Sequence, residues 1–171
     1  MKIIDHTDFE GRYILALDTE EKQWLLDEYC LDIQEKYLKK LMGETLYSEF
    51  AVLTSIAGTK FDILINGTTT PITYNSNTFI YTGVKKMLVL FTYFYFIQEP
   101  DYNTLIGQVQ GQAENSTPAI NVRRLVNTHN EAVRLYDEAI IYMDYWDSIN
   151  TGTNIMDPET ETIREINLYG I

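Results

Sequence analysis

Residues 87–97, MLVLFTYFYFI, are apolar on nearly every face of a helix, and no other stretch limits the possible folds so strongly. A helix with one apolar stripe can lie on a surface, whereas one that is apolar all round must be enclosed by other elements or by lipid. Eleven residues are too few for lipid, because a spanning helix needs about 20, and Lys85 and Lys86 stand just before the run. Val84 to Gln98 therefore reads as the central helix of a core, with Phe91, Tyr93, Phe94, Tyr95 and Phe96 crowded together and Pro100 ending it.

The enclosing elements are legible on both sides. Asp18 followed by Glu21 has the form of a helix start, and Leu26, Cys30, Ile33, Tyr37 and Leu41 recur at intervals of four and three, which predicts a helix over about 19–42. Gly43 can take the left-handed conformation that closes a helix, and Glu44 suits the first turn of another. Leu46, Tyr47, Phe50, Leu53 and Ile56 continue as a second stripe over about 44–57, ended by Gly58, so the glycine is expected to fold two helices into a corner. Thr117-Pro118 is a cap followed by a first-turn proline. From there helical periodicity runs to about Ile149 through Val122, Val126, His129, Val133, Tyr136, Ile140 and Met143.

Between the helices the character changes. ITY and TFIY flank Asn75-Ser76-Asn77 and predict a hairpin over about 71–81, which must lie on the helices or pair with another chain, since an isolated hairpin is marginal in water. FDILI, just before it, fits either a short helical turn or a strand. Residues 101–117 carry two glycines and several amides, long for an internal connection. The last segment, 150–171, has turn residues, an acidic middle and an apolar end, and reads as an arm. The expectation is one mainly α domain over 1–149, a small helical bundle with a hairpin insertion and a long central loop, followed by an extended C-terminal arm.

At 171 residues the chain can bury a sizeable core. Its 25 acidic against 13 basic residues give −12, which argues against general affinity for phosphate backbones, because such binding releases counterions through Lys and Arg. Only residues 51–99 sum to a positive value, marking the middle as core-forming. The start, MKIIDHTDFEGRYILAL, has acids where a secretory signal has an unbroken apolar region. Cys30, the single cysteine, sits on the same helical face as Leu26 and Ile33 and reads as a small buried hydrophobe.

No catalytic, cofactor-binding or metal-ligating residues stand out. His6 and His129 have no cysteine partner and no metal-site spacing, and His129 on a helical stripe reads as a core or interface residue. There is no phosphate loop, no dinucleotide fingerprint and no nucleophile elbow. Carboxylate pairs such as Asp27 with Glu28 and Asp137 with Glu138 fall on solvated helix faces, with nothing to single one out for acid/base work.

The order of signals is more informative: YLKKLMGETLYSEF at 37–50, FDILINGT, a short hairpin, YTGVKKMLVLFTYFYFI, a loop with AENST, and a long last helix. Over roughly residues 20–149 this resembles the head-to-tail adaptor, connector or neck-ring, proteins of tailed bacteriophages, nearest to those of crAss-like phages of Bacteroides hosts. The resemblance implies a structural virion protein rather than an enzyme, without cofactor. Its copies would form a homo-oligomeric ring between the portal and the tail or further neck proteins. It would be assembled in the host cytoplasm and located in the virion neck, with DNA passing nearby without sequence-specific binding and no membrane involved. An acidic lining would repel phosphates and keep the duplex from sticking. Tyr102, Leu105, Ile106 and Val109 in the loop, and Ile166, Leu168 and Tyr169 in the arm, are the candidate partner contacts. The alternatives are another phage tail-completion or monomeric interaction module, and less so an enzyme of unrecognised type, which would need a buried pocket of converging carboxylates.

Overall fold

The computed structural model describes residues 1–15, 17, 19–98, 122–149 and 162–167. Two 3₁₀ turns, His6–Asp8 and Gly11–Tyr13, precede helix α1 (Glu20–Ala51) and the short helix α2 (Asp62–Asn66). Strands β1 (Ile72–Tyr74) and β2 (Asn77–Phe79) follow, then helices α3 (Val84–Phe96) and α4 (Val122–Ile149). The chain is mainly helical with one antiparallel hairpin, and FDILI resolves as the helical turn α2. The loop at 101–117 and most of the arm lie outside the described residues.

Helix α3 is enclosed as its composition requires. Val84, the whole run from Met87 to Tyr93, and Phe96 are buried, while Lys85 and Lys86 reach solvent. Tyr37 of α1 stacks flat on Phe91 with ring centroids 3.8 Å apart, and its hydroxyl meets that of Tyr95 at 2.9 Å. On α4, His129 lies 5.6 Å from Phe91 and 4.8 Å from Phe94, ring to ring. The predicted α4 stripe is broader than drawn: Leu125, Ala132, Leu135, Ala139 and Tyr142 are buried beside His129, Val133, Tyr136 and Met143, while Val126 and Ile140 are half-buried. A helix flanking an all-round apolar neighbour must cover it with more than a narrow seam.

The face of α1 predicted to be buried is so, from Leu26 through Cys30, Ile33 and Tyr37 to Leu41. Its cap, however, is Thr19, whose hydroxyl accepts from the Lys22 amide at 3.4 Å; Asp18 lies outside the described residues. The corner expected at Gly43 is present: two helical limbs, run together here as α1, meet at a kink on this glycine. Its φ of 73° and ψ of 167° are extended rather than left-handed helical, a combination essentially confined to glycine, and helix resumes at once on the far side. The second limb ends at Ala51 rather than near 57, because Thr54 and Ser55 are weak helix formers that compete for backbone hydrogen bonds. Leu53 and Ile56 still pack against the core from the turn that follows.

The hairpin turn is two residues long. Asn75 and Ser76 both have positive φ, 48° and 65°, as a type I′ turn needs, and Asn77 pairs with Tyr74 as part of the strand. Beyond the hairpin, Tyr81 is fully buried, stacks on Tyr142 at 4.4 Å and donates its hydroxyl to the Leu64 carbonyl at 2.8 Å. One side chain thereby joins α2, α4 and the entry to α3. That entry passes so close to α2 that a Cβ on Gly83, whose φ is 79°, would stand 2.5 Å from the Gly67 nitrogen and the Ile65 carbonyl.

The first 15 residues belong to the core, which their sequence did not announce. Ile3, Ile4, Phe9 and Leu15 are buried. The buried Gln34 of α1 holds the segment like a strand partner, accepting from the Ile3 amide at 2.8 Å and donating to the Met1 carbonyl at 2.6 Å. Asp27 adds a 2.8 Å bond from the His6 amide and a 2.6 Å ion pair with Lys2.

Two substitutions probe this arrangement by chemical denaturation. Phe91→Ala removes the buried ring stacked on Tyr37 and is expected to cost about 3–5 kcal/mol. Gly43→Ala forces a Cβ into the extended positive-φ conformation and is expected to cost about 1–3 kcal/mol, whereas an unchanged midpoint would mean the kink is not needed.

Candidate functional site

The described surface offers binding features rather than a reaction centre. The 3₁₀ turn at 11–13, the first turn of α3 and the start of α4 enclose a cleft of about 550 Å³. Arg12 and Tyr13 enter it from the turn, Lys86 from α3, and Arg123, Arg124, Asn127, Thr128 and Glu131 from α4. The Arg124 guanidinium lies 5.5 Å from the Tyr93 ring centre and hydrogen-bonds the Arg12 carbonyl, which ties the turn to α4. Among the described residues, Glu131 is the only carboxylate lining the cleft. It is engaged by Arg134 at 3.1 Å and Lys86 at 3.3 Å, and these cations hold its carboxyl below the usual range. Guanidiniums offer paired N–H donors to oxyanions, so the cleft's composition suits an anionic group.

A second cleft, about 530 Å³, separates the hairpin from α4 and is lined by Tyr74, Phe79, Arg134, Asp137, Glu138 and Ile141 among others. Thr82 anchors its base by donating its amide and its hydroxyl to Glu138 Oε1 at 3.1 and 2.7 Å. Burial raises the Asp137 carboxyl above its ordinary value, with the charge of Glu165 adding to the effect. Tyr74 meets Tyr145 edge-on at 6.0 Å, so the hairpin leans on α4 while Ile80 and Ile141 stay exposed.

The third feature is the outer face of α1. Trp24 is 70% exposed and Leu31 44% exposed, seven residues apart and thus on one side of the helix, among exposed Glu20, Glu21, Glu28, Asp32 and Glu35.

Of the sequence-predicted contact residues, Tyr102, Leu105, Ile106, Val109, Leu168 and Tyr169 lie outside the described residues. Ile166 is half-buried, with its amide bonded to Asn130 Oδ1 and its carbonyl to Asn130 Nδ2, both at 2.9 Å. Ile163 packs against the core, so this part of the arm runs along α4. The basic cleft went unnoticed in the sequence because Arg12 and Arg123 are far apart there. The adjacent pair Arg123-Arg124 in an acidic chain was the available signal.

Cys30 is buried, and desolvation, with the Asp27 charge adding, pushes its thiol up to about 12, so it remains a protonated hydrophobe. Among the described residues no three His, Cys, Asp or Glu side chains converge as a metal site, and no helix is long and apolar enough to cross a membrane. Comparison with known protein families, curated proteins and solved structures finds no match for this chain.

Burial lowers the pKa of His129 below its ordinary 6.5, partly offset by Asn130 and Glu165, with Lys36 adding to the lowering. The unfolded chain therefore takes up this proton first as pH falls, so the His129 contribution to stability is unaffected above about 6.5 and declines below it. Calorimetry of wild type against His129→Leu from about pH 7.5 to about pH 5 should show the Tm difference moving in favour of the variant. A difference independent of pH would remove His129 as the cause.

Proposed function

We propose that this chain is a structural subunit of a tailed-phage head-to-tail junction, repeating as a ring between portal and tail around the passage of DNA. The observation that carries the reading is the outer face of α1. A tryptophan left 70% in water, on a helix face that also exposes Leu31, has the composition of an interface anchor, since buried Trp contacts dominate binding energy. The order of elements from α1 through the hairpin and the enclosed aromatic helix to α4 supports the same reading, because it is the order on which the resemblance to connector proteins rests.

Charge is compatible with the role. A net −12 keeps phosphates from adhering to a subunit placed beside moving duplex, where exposed acids act over about 8 Å at physiological salt. A ring of this kind joins unlike faces of successive copies, and it closes only if the rotation between them returns to the start.

The test is to image the full chain by cryo-electron microscopy, alone and with purified portal rings of the cognate phage. Closed rings, or density for this bundle on the portal, are expected. A chain that stays monomeric to its solubility limit and leaves the portal bare would overturn the reading.

A further inference from the structure

Three of the five arginines of this acidic chain line one cleft, together with Lys86, against a single carboxylate among the described residues, Glu131. Such a concentration of cations in a protein of net charge −12 calls for an anionic occupant. Glu131 is already shared with Lys86 and Arg134. Arg123 is exposed and makes no hydrogen bond or ion pair among the described residues.

The outer face of α1 has the opposite character. Glu20, Glu21, Glu28 and Asp32 are exposed and, among the described residues, have no hydrogen bond or ion pair, and Trp24 and Leu31 stand between them. Beside the cleft, Ile14 follows Tyr13 and is 72% exposed, an apolar surface to set against Trp24. The two surfaces are complementary in charge and in apolar content. They cannot meet within one chain: the cleft lies where α3 and α4 meet the N-terminal turn, and the acidic stripe lies opposite the side of α1 that packs on α3. A nucleic acid fits less well, because its phosphates would have to approach the surrounding acids in order to reach the arginines.

We propose that the cleft is the socket for the acidic outer face of α1 from a second copy of this chain. Guanidiniums meet carboxylates, and Trp24 and Leu31 of one copy seat against Tyr13 and Ile14 of the other. The contact joins unlike faces, so each copy keeps a free socket and a free stripe and the assembly propagates until it closes. This assignment rests on the ring reading and names the faces that such a ring would use.

Arg123→Glu and Glu28→Arg test it in the full chain, since both side chains are exposed and neither supports the fold; unchanged thermal melting is the control. Each reversal is expected to weaken self-association at low salt by about tenfold or more in sedimentation equilibrium, and the chain carrying both should recover, because its reversed socket again opposes a reversed stripe. Single reversals without effect, or a double reversal that fails to recover, would overturn the pairing while leaving a ring built on other surfaces. A monomeric wild type would remove both. Titration with inorganic phosphate provides the remaining arm: saturable binding lost in Arg123→Glu, with self-association unchanged, would overturn the pairing in favour of a small-anion site.

Discussion

The stacking of Tyr37 on Phe91 stands at the point on which the rest of this fold depends, the enclosure of a helix with no polar face. Once α3 must be covered on all sides, α1 and α4 have to present wide apolar surfaces to it, and both do. The flat stack at 3.8 Å brings α1 close, and the Tyr37–Tyr95 hydroxyl pair satisfies two polar atoms that burial would otherwise leave at a cost. The same demand recruits the N-terminal segment: Tyr13 meets Tyr93 edge-on at 5.3 Å, covering the part of α3 nearest the start of α4. A buried stem of this kind frees the outer helix faces from structural duty and leaves them available for contacts.

Close backbone approach is the second constraint, and it explains where the chain turns. The kink at Gly43 keeps both Leu41 before it and Leu46 after it in the core. The passage of Gly83 over the α2 terminus brings Tyr81 down onto Leu64 and Tyr142, so a loop-borne side chain connects elements that are remote in sequence. The first turn of α3, fixed by this approach, carries Lys86 into the basic cleft.

What could be read from sequence was whatever repeats locally. The aromatic helix, the α1 stripe and the hairpin all follow from periods of 3.6 or 2 and from turn residues, and each is present. Features that depend on one distant partner were not legible. Ile3, Ile4, Phe9 and Leu15 have no regular spacing, and the start of their segment is held by Gln34, whose amide looks like any other surface glutamine until the backbone of Met1 and Ile3 is beside it. The corner and positive φ of Gly43 were legible, but its ψ was not: glycine permits several positive-φ states, and packing on both sides selects the extended one. The cleft was hidden in the same way, since Arg12 reaches Arg123 and Arg124 only after the N-terminal segment has been folded onto the bundle.

Net charge by itself describes such a surface poorly. A chain at −12 whose charges were evenly mixed would repel its copies at every approach, and association would need apolar area alone. Here the cations are unevenly placed, three arginines and Lys86 around one cleft, while the outer face of α1 carries several carboxylates with no cation bound among the described residues. That segregation makes the repulsion depend on orientation: stripe against stripe is penalised and socket against stripe is favoured, so the charges that disfavour random aggregation also select one direction of contact. On the proposed reading, the acids left outside that contact remain to face the duplex, and assembly and passage draw on different parts of one charge distribution.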